Sequence, residues 1–226
     1  MVDTHPWNTG FAWQDHDWPP TTLSADDVRH FDERGYLVLV SQFTTEELTP
    51  VVAELDRHEA KVAAHLDQLD DGRFLIAEAG AITFAPHLAA RSATLAAFAR
   101  HPRLLALCRD LVGPDVDLYH DQAVYKKPEK PRRFPWHQDN GYKFVEPQSY
   151  LTCWVALTDA TEDNGCPRVA PGLHRLGTLA HAYVDPLGWE CFTDPEEVEV
   201  AAVPAGSVVV FSSLTPHLTG PNITGA

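Results

Sequence analysis

Apolar positions recur at helical spacing in three stretches of the N-terminal half. Ser24 precedes Asp26, Val28, Phe31 and Arg34, and Gly35 follows, so the pattern predicts a helix capped by Ser24 and stopped by Gly35. Tyr36 to Val40 is a short β-branched and aromatic run that predicts a strand. From Thr44 to about Leu69, apolar residues at 48, 51, 52, 55, 62 and 66 keep a helical period, which predicts a long helix. Residues 90–112 repeat that spacing, broken near Pro102 and closed by Gly113-Pro114.

Beyond Gly113 the texture changes. Residues 116–125, 150–157, 198–203 and 207–211 read as strands, separated by the Pro- and Gly-rich loops KKPEKPRRFP, EDNGCPRVAPG and VPAG. Helices first and many strands afterwards predict an α+β or mainly β fold, a barrel with helical packing. The first twenty residues, with Trp7, Trp13, Trp18 and Pro19-Pro20, read as an irregular arm whose indoles pack onto the domain. The expected organisation is therefore an arm over 1–22 and one domain over 23–226.

Composition narrows the function classes. The 226 residues are 44% hydrophobic and 22% charged, ordinary for one globular domain. No stretch approaches the roughly 20 apolar residues that cross a bilayer, and the N-terminus lacks a basic region followed by an apolar run. No membrane association and a cytoplasmic location are expected. A net charge of -15 repels phosphate backbones, so nucleic acid is not an expected partner. The four cysteines, at 108, 153, 166 and 191, lack CxxC spacing and read as reduced thiols.

The candidate chemistry lies in an HxD pair. Twelve histidines and thirty-two acids in 226 residues produce one or two such pairs by chance, and the chain has three: His30/Asp32, His65/Asp67 and His137/Asp139. The first two lie in helical patterns, where residues two apart point about 200° away from each other and cannot share an ion. Pro131 and Pro135 forbid a regular helix before His137. In an extended segment His137 and Asp139 face one side and can chelate one metal. His217, just beyond a predicted strand in VPAGSVVVFSSLTPHLTGPN, is the candidate third ligand. Two histidines and a carboxylate on one face of an ion leave positions open for an oxidant, which suits Fe(II) oxygenases. The same donors bind zinc. By spacing alone, His137 also reads as a core histidine beside Trp136, and His217 as a loop residue.

Several linked motifs carry a resemblance: LSADDVRHFDERGYLVL over 23–39, then DLYHDQAVYKKP, FPWHQDNGY, YLTCWVALTDATEDNGCPRVAPGLHRLG and PAGSVVVFSSLTPHLTGPN. In this order they resemble the phytanoyl-CoA dioxygenase family of Fe(II)- and 2-oxoglutarate-dependent oxygenases. The resemblance implies a double-stranded β-helix (a jelly roll, cupin-like) with supporting N-terminal helices. It implies Fe(II) held by His137, Asp139 and His217, and 2-oxoglutarate met by Gln122, Gln138, Trp154 and Thr219. The implied reaction consumes O2 and oxidises an unactivated C–H bond of a small molecule, yielding succinate and CO2. Because Asp139 keeps the carboxylate that halogenating relatives lack, hydroxylation or another hydrogen-abstraction outcome is the expectation. Phe134, Trp136, Tyr142 and Phe144 read either as a substrate pocket or as core, and His174 and Arg175 either as a substrate border or as a turn. Gly165 and Gly172 are expected to permit tight turns.

The family places an arginine about eleven residues past the second histidine, where it grips the far carboxylate of 2-oxoglutarate as a bidentate pair. Counted from His217, that position and the final barrel strand fall beyond Ala226. The expectation is a sequence cut short; the rival is a short protein with weakened co-substrate binding. Lys126, Lys127, Arg132 and Arg133 read as a solvated basic loop, or as a partial substitute for that arginine. Two other readings remain in competition: a non-oxidative metal enzyme (an isomerase or epimerase) on the same barrel, and a catalytically silent binding module.

Overall fold

A computed structural model describes residues 2–148 and 150–225, so the outermost residues of the expected arm and domain, Met1 and Ala226, lie outside the described residues. Helix α1 (Ala25–Arg34) starts at a capping box in which Ser24 and Asp27 exchange side-chain-to-backbone bonds. It ends at Gly35, whose φ of 84° only glycine adopts cheaply. Strand β1 (Tyr36–Leu39) follows, then α2 (Thr45–Leu66), which opens on a second capping box between Thr44 and Glu47 and closes at Asp67, short of the predicted end. Short strands β2 (Arg73–Phe74) and β3 (Ala77–Glu78) lead into β4 (Ile82–Pro86). The predicted 90–112 helix is two helices, α3 (Ala93–Ala99) and α4 (Pro102–Val112), broken where Pro102 begins the second.

The strand-rich half is less regular than the sequence pattern predicts. Strand β5 is confined to Gln122–Lys126; residues 116–121 are irregular, and the Asp121 carboxylate accepts the backbone N–H groups of Leu88 and Ala89. A single helical turn, α5 (Asp139–Tyr142), precedes β6 (Leu151–Val155). Strands β7 (Pro167–Val169), β8 (Ala182–Val184) and β9 (Gly188–Glu190) follow. Strand β10 covers only Glu199–Val200, the residues of the predicted 198–203 run that stand in register with Val169 and Arg168 of β7. Strands β11 (Val208–Ser212) and β12 (His217–Thr219) complete the order.

The fold is mixed α+β, with several antiparallel sheets. One sheet runs β1-β11-β6, a second β10-β7-β12, a third β2-β3-β4-β5, and β8 pairs with β9. Strand β11 explains the SVVVFSS run. Val208 and Val210 pack toward α1, α2 and α4, while Val209 and Phe211 pack toward Val169 of β7. A strand buried on both faces has no polar alternation to show. Ala85 of β4 and Ala123 of β5 pack on Val51 and Leu55 of α2. The opposite face of β4–β5 carries Phe84, whose ring meets Phe134 at 5.8 Å, just ahead of the HxD pair.

The N-terminal arm is fastened. Trp13 packs against the core beside Phe31, and the Trp18 indole donates to Asp110 O at 2.9 Å, but Trp7 is 69% exposed. The expected indole packing thus holds for Trp13 and in part for Trp18, while Trp7 makes an edge contact with Phe144. Asp110 is the main anchor. Its carboxylate accepts the backbone N–H groups of Thr21, Thr22 and Leu23 and the Thr21 hydroxyl. Among the described residues no helix is long and apolar enough to cross a membrane.

Candidate metal centre

His137 and His217 are backbone partners. His137 N–H donates to His217 O at 3.0 Å, and His217 N–H donates to His137 O at 2.9 Å. That isolated antiparallel bridge sets the two imidazoles side by side, with centroids 4.2 Å apart. His217 therefore opens β12 rather than lying in a loop beyond a strand. Asp139 is the first residue of α5, and Gln138 before it is extended, with φ −103° and ψ 143°. The extended stretch thus reaches Gln138 and turns helical at Asp139, which keeps the carboxylate on the side of the histidines.

Asp139 Oδ1 stands 3.7 Å from His137 Nε2 and 3.8 Å from His217 Nε2. One ligand atom from each of the three side chains lies within 4.8 Å of the others. Each ring points its Nδ1 at a carbonyl two residues back: His137 at Pro135 O, 2.9 Å, and His217 at Thr215 O, 3.0 Å. Nδ1–H is the donor in both contacts, which leaves both Nε2 lone pairs for an ion. Burial, helped by the neighbouring His217, holds the His137 pKa well below the usual histidine range, so the ring is neutral as a ligand must be. Thr152 of β6 donates its hydroxyl to Asp139 Oδ2, the oxygen turned away from the imidazoles. Phe134, Tyr142 and Phe211 wall the pair with aromatic edges and faces. Two imidazoles, each with its Nε2 directed at one carboxylate, are a donor set that fits Fe(II).

The other residues singled out by sequence fall unequally. Trp154 shares one face of β6 with Thr152 and packs on the inner core cluster. Thr219 shares one face of β12 with His217. Gln122 opens β5 on the Phe84 face and is exposed. Gln138, also expected at the co-substrate, has its side chain engaged by the main chain. It is fully buried, and its amide is spent on main chain: Nε2 donates to Gly177 O at 3.0 Å and Leu214 O at 2.5 Å, while Oε1 accepts Leu179 N–H at 2.6 Å. A residue between two ligands that face one side must face the other, and here that side is a loop, not the ion.

His174 is buried against Trp13 and donates from Nε2 to Asp32 O, while Arg175 pairs with Asp15. The turn reading holds for both. Gly165 and Gly172 take positive φ, as expected of turns. Trp136 is core, packed with Ala170 and Leu218, and Phe144 meets His5 and Trp7 of the arm. The basic loop is not free: Lys127 pairs with Glu59, Lys130 and Arg132 with Glu78, and Arg133 with Glu190. Lys126 instead points its ammonium at the carbonyls of Arg132, Thr219 and Gly220, and burial pulls its pKa down to about 7. Thr152 and His181 were not foreseen. Their partners lie 13 and 43 residues away, and no local motif marks them.

Comparison with known proteins agrees with this geometry. The family model described as phytanoyl-CoA dioxygenase matches residues 31–226. The chain is 28% identical to an ectoine dioxygenase of Bordetella bronchiseptica, covering 89% of this chain and 71% of that protein. It is 27% identical to a methylphosphonate hydroxylase of Gimesia maris, over 90% of this chain and 77% of the relative. The crystal structure of EvdO2 from Micromonospora carbonacea, complexed with 2-oxoglutarate, superposes with a TM-score of 0.69 at 23% identity, covering 92% of this chain and 88% of that one.

Proposed function

The chain belongs to the phytanoyl-CoA dioxygenase family and is an Fe(II)- and 2-oxoglutarate-dependent dioxygenase; within that family we propose that it hydroxylates an unactivated C–H bond of a small organic molecule. The observation that carries the proposal is the convergence of Asp139 with two imidazoles whose Nδ1 atoms are already engaged. His137, Asp139 and His217 are assigned as the ligands. When bound, the ion and 2-oxoglutarate supply the power to activate O2.

The chain's own part is positioning and exclusion of water. Trp154, Thr219 and Gln122 are assigned to the co-substrate wall, in support of which Trp154 and Thr219 share strand faces with Thr152 and His217. Lys126 is the base of its loop left without an acidic partner, and its Nζ lies on the carbonyls of Thr219 and Gly220 beside this wall. Gln138 is left out of the wall. Phe134 and Tyr142 supply an apolar border that favours a C–H substrate over bulk water. We read the two facing three-stranded sheets as the jelly roll of the family, with residues 23–226 as its catalytic unit and 1–22 as a strap. Relatives that act on ectoine and on methylphosphonate support a small polar substrate.

The test is succinate release from 2-oxoglutarate under air. Release that requires added Fe(II) and is lost in Asp139→Ala and His217→Ala supports the proposal. Tight zinc binding without turnover supports a non-oxidative metal enzyme, and neither metal nor turnover supports a binding module.

A further inference from the structure

His181 sits behind the turn that carries His137 and Asp139. Its Nδ1–H donates to Leu179 O at 2.9 Å, which fixes Nε2 as the acceptor. That Nε2 accepts the backbone N–H of Gln138 at 3.0 Å. The ring lies so close to Gly141 that a methyl group there would stand 2.1 Å from Cε1. We propose that His181 is the positioning residue of the metal centre, holding the His137–Gln138 peptide so that His137 and Asp139 present their donors together. The inference rests on the reading of His137, Asp139 and His217 as Fe(II) ligands.

The mechanical argument is short. The N–H that His181 accepts belongs to the peptide joining residues 137 and 138. That peptide lies between His137 and the Gln138–Asp139 turn, so one acceptor bears on the backbone that carries both ligands. The carbonyl of this peptide, His137 O, already accepts His217 N–H at 2.9 Å, and His181 satisfies its other end, where a buried N–H without a partner would cost about 1–3 kcal/mol. The restraint is reciprocal. Gln138 Oε1 accepts Leu179 N–H, so residues 179–181 and the ligand turn hold one another. Gln138 Nε2 reaches on to Leu214 O, in the turn that leads to His217, and Asn140 N–H donates to Ser213 O at 3.1 Å. The brace therefore spans both ligand-bearing segments.

The outer edge of the same segment is covered by the arm. Thr4 bridges Leu179, His5 N–H donates to Thr178 O at 2.9 Å, and Ala180 N–H donates to Asp3 O at 2.8 Å. Residues 178–181 are thus clasped on one side by the arm and on the other by the metal turn.

The test compares His181→Gln, whose Oε1 reaches the position of Nε2, with His181→Phe, which fills the space but accepts nothing. Two readouts are taken on the full chain: the Kd for Fe(II) by anaerobic calorimetry, and amide hydrogen exchange of the 134–142 segment in metal-free protein. Phe is expected to weaken Fe(II) binding about tenfold, the low end for an outer partner of a metal site. It is also expected to speed exchange of the Gln138 amide about tenfold, and Gln is expected to restore both to within about threefold of the parent. If His181→Phe does not fold, His181→Leu carries the same comparison. Equal impairment in Gln and Phe, or exchange within twofold of the parent in Phe, overturns the proposal. A parent protein that does not bind Fe(II) overturns the metal reading instead, and the exchange experiment on metal-free protein distinguishes the two failures.

Discussion

Thr152→Val tests whether the carboxylate ligand is oriented by strand β6. The substitution keeps the branched shape and removes one hydroxyl, which donates to Asp139 Oδ2 while Oδ1 faces the imidazoles. A hydrogen bond to a charged group contributes about 1.5–3 kcal/mol, or roughly 10- to 150-fold in a binding constant. Two features of the site place the effect at the low end. The Thr152 hydroxyl can donate to Asp139 with or without an ion, so only the difference between the two states is lost. The Asp139 side chain is 28% exposed, so water can take the vacated donor position. The expectation is a Kd for Fe(II) about tenfold weaker, within the range for outer partners of metal ligands. Thr152→Ser, which keeps the hydroxyl, should stay within about threefold of the parent. Anaerobic calorimetric titration reads both variants, and thermal unfolding of the metal-free proteins serves as the folding control. Fe(II) binding by Thr152→Val within twofold of the parent would refute the reasoning and assign the orientation of Asp139 to its helical turn alone.

Two further outcomes follow from the surroundings. Burial lowers the Lys126 pKa to about 7, far below the unfolded value, so between about pH 7 and pH 10 the unfolded chain binds a proton that the folded chain does not. Stability from this group therefore rises with pH across that window, by at most about 1.4 kcal/mol per unit, with the three carbonyl contacts acting against the shift. Urea midpoints at pH 7 and pH 9 should show the rise in the parent and a flatter profile in Lys126→Met; parallel profiles would dismiss it. Gly35→Ala should cost about 2–4 kcal/mol, because φ is 84° and the new methyl would stand 2.5 Å from His174 Nδ1 and Thr215 Oγ1. A urea-derived loss below about 1 kcal/mol would show that the turn relaxes at little expense.

The legible parts of this chain were those whose cause is local. Ser24, Gly35 and Pro102 mark helix ends by their own backbone chemistry, and α1 and the α3–α4 break lie where those residues put them. Pro131 and Pro135 separated His137 from the two helical HxD pairs, and His30 and His65 are indeed exposed on helices. The third donor was visible only through the order of motifs, since nothing local to His217 announces a partner 80 residues away. Strands of two or three residues, such as β7 and β10, have no periodicity to read and exist because a partner strand is there. The direction of the Gln138 amide was out of reach for a related reason. Its position between two ligands was legible, but which way its amide points is decided by Gly177, Leu179 and Leu214.

The backbone bridge between His137 and His217 has a consequence for which ion arrives. Imidazoles spaced by main-chain pairing keep their separation before any cation enters, so little of the binding free energy is diverted into assembling them. Such a ready-made seat has little means of selecting by shape among divalent cations of similar radius. Occupancy then follows intrinsic affinity, which rises from manganese through iron to copper. Loading with iron is left to the supply of metals around the protein, and copper or nickel at equal free concentration should displace it.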